Sequence, residues 1–240
     1  AADLGRLIES DPALSTQVIR LSNTAFYGLS GKVSSAWRAV TVLGLATVRA
    51  IATTAAFDLF SEKGRSVPDE FWEHSVTTAA AAAAVARRVG VQPNDAFSAG
   101  LLHDIGTALV FRRAPRRYDT MLENRVANPD RALVDIELEE FGATHAQVGA
   151  AALGVMRFPV EMVEAIGGHH STPGLVPSLL GRVLIAADAV ALTVDGIDSE
   201  ENAPIGEALE ALEVPASAAQ GMVDEVRGDQ ENLSSFLTVR

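Results

Sequence analysis

Seven side chains in this sequence combine a metal-ligating type with a placement that suits a metal centre. Five are its whole complement of histidine: His74, His103, His145, His169 and His170. His103 runs directly into Asp104, and His169 and His170 are adjacent. Neutral imidazole is the commonest protein metal ligand and a carboxylate can bridge two cations, so such pairs suit a metal centre. Helical neighbours point about 100° apart, so other helices must complete the ligand set. Asp188 is the acidic candidate for closing it, because it lies between Ile185-Ala-Ala and Ala189-Val-Ala, where a lone carboxylate is unfavourable to bury. Taken singly, each residue has a plainer reading. A histidine on an apolar helix is most often a hydrogen-bonded core residue, Asp104 can merely orient a neighbour, and Asp188 can cap a turn or pair with Arg182.

The elements that must position these groups read as helices. Ser10 or Asp11 caps a helix opened by Pro12, and Ser34 or Ser35 caps the next. That second helix carries an apolar stripe of Trp37, Val40, Leu43, Leu45, Val48 and Ile51 and bends or breaks at Gly44. The stripe predicts docking through Trp37, Leu43, Leu45 and Val48. Pro68 opens a long helix that holds His74 and ends in Arg87, Arg88 and Gly90. Further helices are expected over 93–113, 133–158, 159–166 and 177–194. No segment alternates strictly between apolar and polar residues, so the fold class is all-α. A polar stretch with both breakers, Ser61–Pro68, marks a boundary, and 195–204 marks a transition into an acidic segment.

Around the histidines the motifs resemble a known family. Phe71-Trp-Glu-His74 and Gly100-Leu-Leu-His-Asp-Ile-Gly106 resemble the HD superfamily of metal-dependent phosphohydrolases. The wider pattern is closer to its HDOD branch, the HD-related output domains of bacterial signalling proteins. It includes Ser10-Asp-Pro-Ala-Leu14, Arg20-Leu-Ser-Asn-Thr-Ala-Phe-Tyr-Gly28, Ala39-Val-Thr-Val-Leu-Gly44, Glu140 to Gly149, Ala165 to His170, and Ile185-Ala-Ala-Asp188.

The resemblance, from Asp3 to Val194, implies an N-terminal helical subdomain (1–62), an HD-type core (63–195) and, outside it, an acidic helical extension (196–240). It also implies a first metal site of His74, His103, Asp104 and Asp188. Asp104 would then bridge to a second ion held by His145, His169 and His170. One or two divalent transition-metal ions follow, with iron, manganese, zinc and nickel all compatible. Thr107 stands where the catalytic cyclic-dinucleotide branch has a lysine, and no Gly-Tyr-Pro follows His170. Glu70, one helical turn before His74, fits an N-terminal dipole partner better than a ligand.

Two function classes are therefore expected. One is a signal-transduction module with a retained metal site and a protein partner. The other is a metal-dependent phosphohydrolase acting on a nucleotide or cyclic dinucleotide, with Asp104 at the reacting centre. Arg112, Arg113, Arg116 and Arg117 form a cluster that reads as a solvated helix end or, for Arg112 and Arg113, as an anchor for phosphate.

Composition narrows the rest. The 240 residues carry a net charge of −12 and 48% hydrophobic content, enough for a substantial core. Asp195–Glu231 holds eleven acidic residues and one arginine, read as a solvated or protein-facing surface. Direct DNA binding is not expected from this charge. The absence of cysteine excludes disulfides and thiolate zinc sites. No window reaches membrane-helix hydrophobicity, so a cytoplasmic protein is expected.

Overall fold

The computed structural model describes residues 2–56, 67–128, 130–197 and 203–237, and among these there is no β-strand. Most of the 61–68 boundary and the middle of the 195–204 transition lie outside the described residues. Thirteen α-helices are described, beginning with α1 (Ala2–Glu9), α2 (Pro12–Ser22) and α3 (Ala36–Ala56). The core follows with α4 (Asp69–Val89), α5 (Pro93–Leu102), α6 (Ile105–Arg113), α7 (Pro115–Ala127), α8 (Leu133–Phe141), α9 (His145–Val155), α10 (Val160–Gly167) and α11 (Leu179–Asp195). Last come α12 (Ile205–Glu210) and α13 (Ala219–Leu237).

Helix α4 is the central strut, with α5, α11 and α13 packed around it. Its run Ala79–Ala84 is completely buried, so these helices meet backbone to backbone rather than through long side chains. A second group, α6, α9 and α10, lies beside the first, and α11 touches both α4 and α10.

The N-terminal layer is α1–α3, joined to the core through α3 on α5. Asp11 caps α2, its Oδ1 accepting from the backbone N–H groups of Ala13 (3.0 Å) and Leu14 (3.1 Å). Asn23 then clamps the following loop, donating to the Val33 carbonyl and accepting its N–H. This presents Phe26 and Tyr27 to the ring of Phe97 on α5, at 5.5 and 6.3 Å.

Helix α3 is kinked at Gly44, whose φ of 76° and ψ of 166° are not helical. The kink corrects the expected docking face. Leu43 and Val48 are buried, but Leu45 is 65% exposed and Trp37 50% exposed. A non-helical residue resets the 100° progression, so Leu45 leaves the stripe. Trp37 packs beside Gly5 of α1, where an added Cβ would lie 2.9 Å from the Trp37 Cα.

Arg49, past the kink, ties the layer to the core. Its Nη2 donates to the Met156 carbonyl at the end of α9 (2.6 Å), and its guanidinium lies 4.0 Å from the centre of the Phe158 ring. Arg49→Ala is expected to lower stability by about 1–2 kcal/mol in urea titrations, with Arg49→Lys restoring only part.

Two expected long helices are each broken in the structure. The 93–113 segment stops at His103, whose Nδ1 bonds the Gly100 carbonyl, and restarts after Asp104. The 133–158 segment breaks at Gly142, in the left-handed region, before a Thr144/Gln147 capping box opens α9. The acidic extension folds back onto the core: Met222, Val226 and Leu233 are buried, and Glu225 pairs with Arg87 and Arg88 at 2.8 and 2.7 Å.

Candidate metal centre

Two glycines flanking the His-Asp pair decide where it sits. An added Cβ at Gly100 would lie 2.7 Å from the Ala79 Cα and the Thr78 carbonyl, so α5 rests directly on α4. At Gly106 it would lie 1.9 Å from the His145 carbonyl oxygen, so α6 rests directly on α9. The first approach brings His103 to His74, the second brings Asp104 to His145. Asp104 occupies the N-cap position of α6 but makes no capping bond, and its carboxylate turns toward the histidines instead.

All seven expected ligand residues converge. In one half, His74 Nε2 is 3.1 Å from Asp188 Oδ1, His103 Nε2 is 3.9 Å from that oxygen, and His103 Nε2 is 3.2 Å from Asp104 Oδ2. In the other, Asp104 Oδ1 is 3.3 Å from both His145 Nε2 and His169 Nε2. His145 Nε2 lies 3.3 Å from His169 Nε2 and 2.8 Å from His170 Nε2. Asp104 thus turns one oxygen to each half. Ligands bonded to one ion at about 2.1 Å, separated by 90–109°, lie about 3.0–3.4 Å apart. Most of these spacings fall in or close to that range. Asp104 Oδ1 is buried and faces these two ring nitrogens at 3.3 Å, a position that a cation shared with them would satisfy.

The outward-facing ring nitrogens are held as well. His103 Nδ1 lies 2.8 Å from the Gly100 carbonyl, and His169 Nδ1 2.7 Å from that of Ile166. His145 Nδ1 pairs with Glu137 at 2.7 Å, and His74 Nδ1 with Asp195 at 2.9 Å. An Nδ1–H donated outward leaves the Nε2 lone pair facing inward, the tautomer a ligand histidine needs.

Neither carboxylate was singled out from the sequence. Asp195 stands seven residues after Asp188, two turns along the same face of α11, and the His74 ring spans the gap. That spacing was a readable signal, obscured because Asp195 also opens the acidic segment. Glu137 sits in an acidic run with Glu139 and Glu140, yet it alone of the three is buried. Its sequence offered no comparable signal.

The local field follows from this packing. Burial opposes charge on His74, but Asp188 and Asp195 outweigh it and raise its pKa to about 10. His145 is likewise raised to about 10 against burial, by Asp104 and then Glu137. His170 falls to about 3 through burial and the neighbouring His169 and His145. Asp188 drops to about 2 despite burial, through the His74 hydrogen bond and nearby imidazoles, and Asp104 is held well below the carboxylate range by His103 and His145.

Other candidates stand apart. Arg112 and Arg113 are exposed in the last turn of α6, about 12 Å of helix rise from Asp104. Arg116 is exposed, and Arg117 pairs with Glu140. Arg182 donates to the Ala211 carbonyl at 3.0 Å, while Asp188 faces His74. Glu70 is exposed in the first turn of α4.

Comparison with known proteins finds relatives of this chain in sequence and in fold. Residues 1–172 match the family described as HDOD domain. A candidate phosphohydrolase of Shewanella amazonensis SB2B, 23% identical, superposes with a TM-score of 0.78 over 99% of this chain and 87% of that one. A candidate signal transduction protein of Marinobacter aquaeolei VT8, also 23% identical, gives 0.75 over 98% and 54%. At these identities the likeness is one of fold. Ribonuclease Y of Clostridium kluyveri is 32% identical over 151 residues, 62% of this chain and 24% of that protein. The chain spans about a quarter to a third of the length of the curated relatives it matches. Among the described residues, no helix is long and apolar enough to cross a membrane.

Proposed function

The chain belongs to the HDOD-domain family, and from that membership and the geometry of its cluster we propose that it is a signal-transduction module built around a centre for two divalent transition-metal ions. His74, His103, Asp104 and Asp188 would hold one ion, and Asp104, His145, His169 and His170 the other. The observation that carries the reading is the outer set of partners. Four histidines have Nδ1 bonded to a carbonyl or carboxylate while Nε2 faces Asp104 or, for His74, Asp188. Such an arrangement is the one that orients histidines as metal ligands. The signalling role rests on the family and on the name of the Marinobacter relative, and the protein partner it implies is unidentified.

A second reading is hydrolysis of a phosphoester such as a nucleotide or cyclic dinucleotide, and the sharing of Asp104 between the halves favours it. Two bound divalent ions supply charge neutralisation for phosphate and activation of water. The residues would contribute alignment. Asp104 keeps 19% of its side chain exposed, against 5% or less for Asp188, His103, His145 and His169, so a substrate would enter over it. Thr107 bonds the Tyr118 hydroxyl and brings no positive charge to a phosphate. Arg112 and Arg113 would reach a substrate only through their long side chains.

The test starts with metal analysis of protein purified without a histidine tag, expected to give up to two ions per chain in the wild type and none in Asp104→Ala. Both are then assayed, metal-loaded, on cyclic dinucleotides, mononucleotides and a generic phosphodiester. Turnover abolished by the substitution establishes the enzyme. Metal uptake without turnover leaves the regulatory module, and no uptake overturns both readings.

A further inference from the structure

Helix α13 lies outside the 172 residues matched to the family, yet it reaches the partner of a candidate ligand. Gln230 Nε2 donates to Asp195 Oδ1 at 2.9 Å and to Thr77 Oγ1 at 2.7 Å. Thr77 Oγ1 itself lies 2.9 Å from the Glu73 carbonyl and 3.2 Å from Asp195 Oδ1. A carboxylate can only accept, so the amide N–H face of Gln230 must be the one turned toward Asp195. The other oxygen, Oδ2, accepts from His74 Nδ1. A continuous chain of hydrogen bonds therefore runs from α13 through Asp195 to the imidazole whose Nε2 faces Asp188 and Asp104. Asp195 is the last residue of α11 and is followed by Gly196 in the left-handed region.

Building on the metal-centre reading above, we propose that Gln230 is a positioning residue for that centre. It fixes the Asp195 carboxylate so that Oδ2 stays in line with His74 Nδ1–H, which in turn keeps His74 Nε2 aimed inward. The acidic extension thereby becomes part of the site's construction. Its attachment is independent of this contact, since Arg87 and Arg88 hold Glu225 and the apolar face of α13 is buried.

That independence supplies the control. Affinity for manganese and for zinc, each added alone, is measured by competition with a chromophoric chelator, and thermal midpoints are recorded in excess chelator. Gln230→Met removes both donors at similar shape, and Gln230→Ala serves as a second variant. Either is expected to weaken one of the two ions about tenfold, the lower end for loss of an outer partner. Glu225→Gln is expected to lower the metal-free midpoint while leaving affinity unchanged, which separates loosening of the helix from positioning of the ligand. Wild-type affinity in both Gln230 variants overturns the inference, as does equal weakening in Glu225→Gln. A wild type that takes up neither metal overturns the reading of the site itself, and the inference with it.

Discussion

Gly106→Ala is expected to destabilise the protein by about 3 kcal/mol, the upper part of the usual range for overpacking. The reason is what the new methyl group meets: the His145 carbonyl oxygen at 1.9 Å and the Gly149 backbone nitrogen at 2.7 Å, both main-chain atoms of α9. No side-chain rotamer can relieve such a contact, so the helices must separate. Separation pulls His145 from Asp104, now 3.3 Å apart across the second half of the cluster, so metal capacity should fall by one ion per chain. Chemical denaturation with metal analysis reads both effects. Gly221→Ala on the exposed face of α13 has nothing within 4 Å and no positive φ, and should be neutral or slightly stabilising. If Gly106→Ala behaves like Gly221→Ala, the two helices do not meet as described.

Metal binding is expected to release about two protons per chain near pH 7.5. Both His74 and His145 have pKa values raised to about 10, so each carries a proton that a cation must displace from Nε2. Each ion's affinity should then rise about tenfold per pH unit between pH 6.5 and 10, and their product about a hundredfold. Calorimetric titrations in two buffers of different ionisation enthalpy count the protons, and a count of zero would remove the basis for this.

Stability of the metal-free protein follows the same groups. Folded pKa values above 6.5 make the contribution of His74 and His145 complete below pH 6.5 and lost as pH rises toward 10, whereas His170, lowered to about 3, costs stability as pH falls below 6.5. The depressed carboxylates of Asp104 and Asp188 contribute above their ordinary value of 3.8, and that contribution is lost as pH falls toward 2. The metal-free melting temperature should therefore peak near pH 6.5, where the losses on the two sides meet.

The clustering of the five histidines with Asp104 and Asp188 was legible in the sequence through motifs that resemble the HD superfamily, and the structure brings these residues together. The all-helical class was equally legible from caps, prolines and the lack of alternation. What escaped was what depends on backbone path. The break at Gly44 was legible, but its consequence, that Leu45 leaves the docking stripe, was not, and the breaks at His103 and Gly142 lie inside segments whose apolar content reads as continuous. Asp195 and Glu137 escaped for a different reason. Their residue type is the commonest surface type, and only burial against a histidine sets them apart from their acidic neighbours.

The buried alanine run of α4 limits how this protein can drift. A leucine-lined core can shrink at one position and grow at another, trading volume across a family of sequences. Ala79–Ala84 offers no such exchange, because each residue is already the smallest that carries a Cβ and neighbouring helices touch it closely. Substitution there can go down only to glycine, which weakens the helix, or upward into occupied space. Evolution therefore has few neutral steps along the helix that carries His74. The exposed faces are free to diverge, while this strut holds its spacing to α5, α11 and α13 like a ruler with its marks cut in backbone.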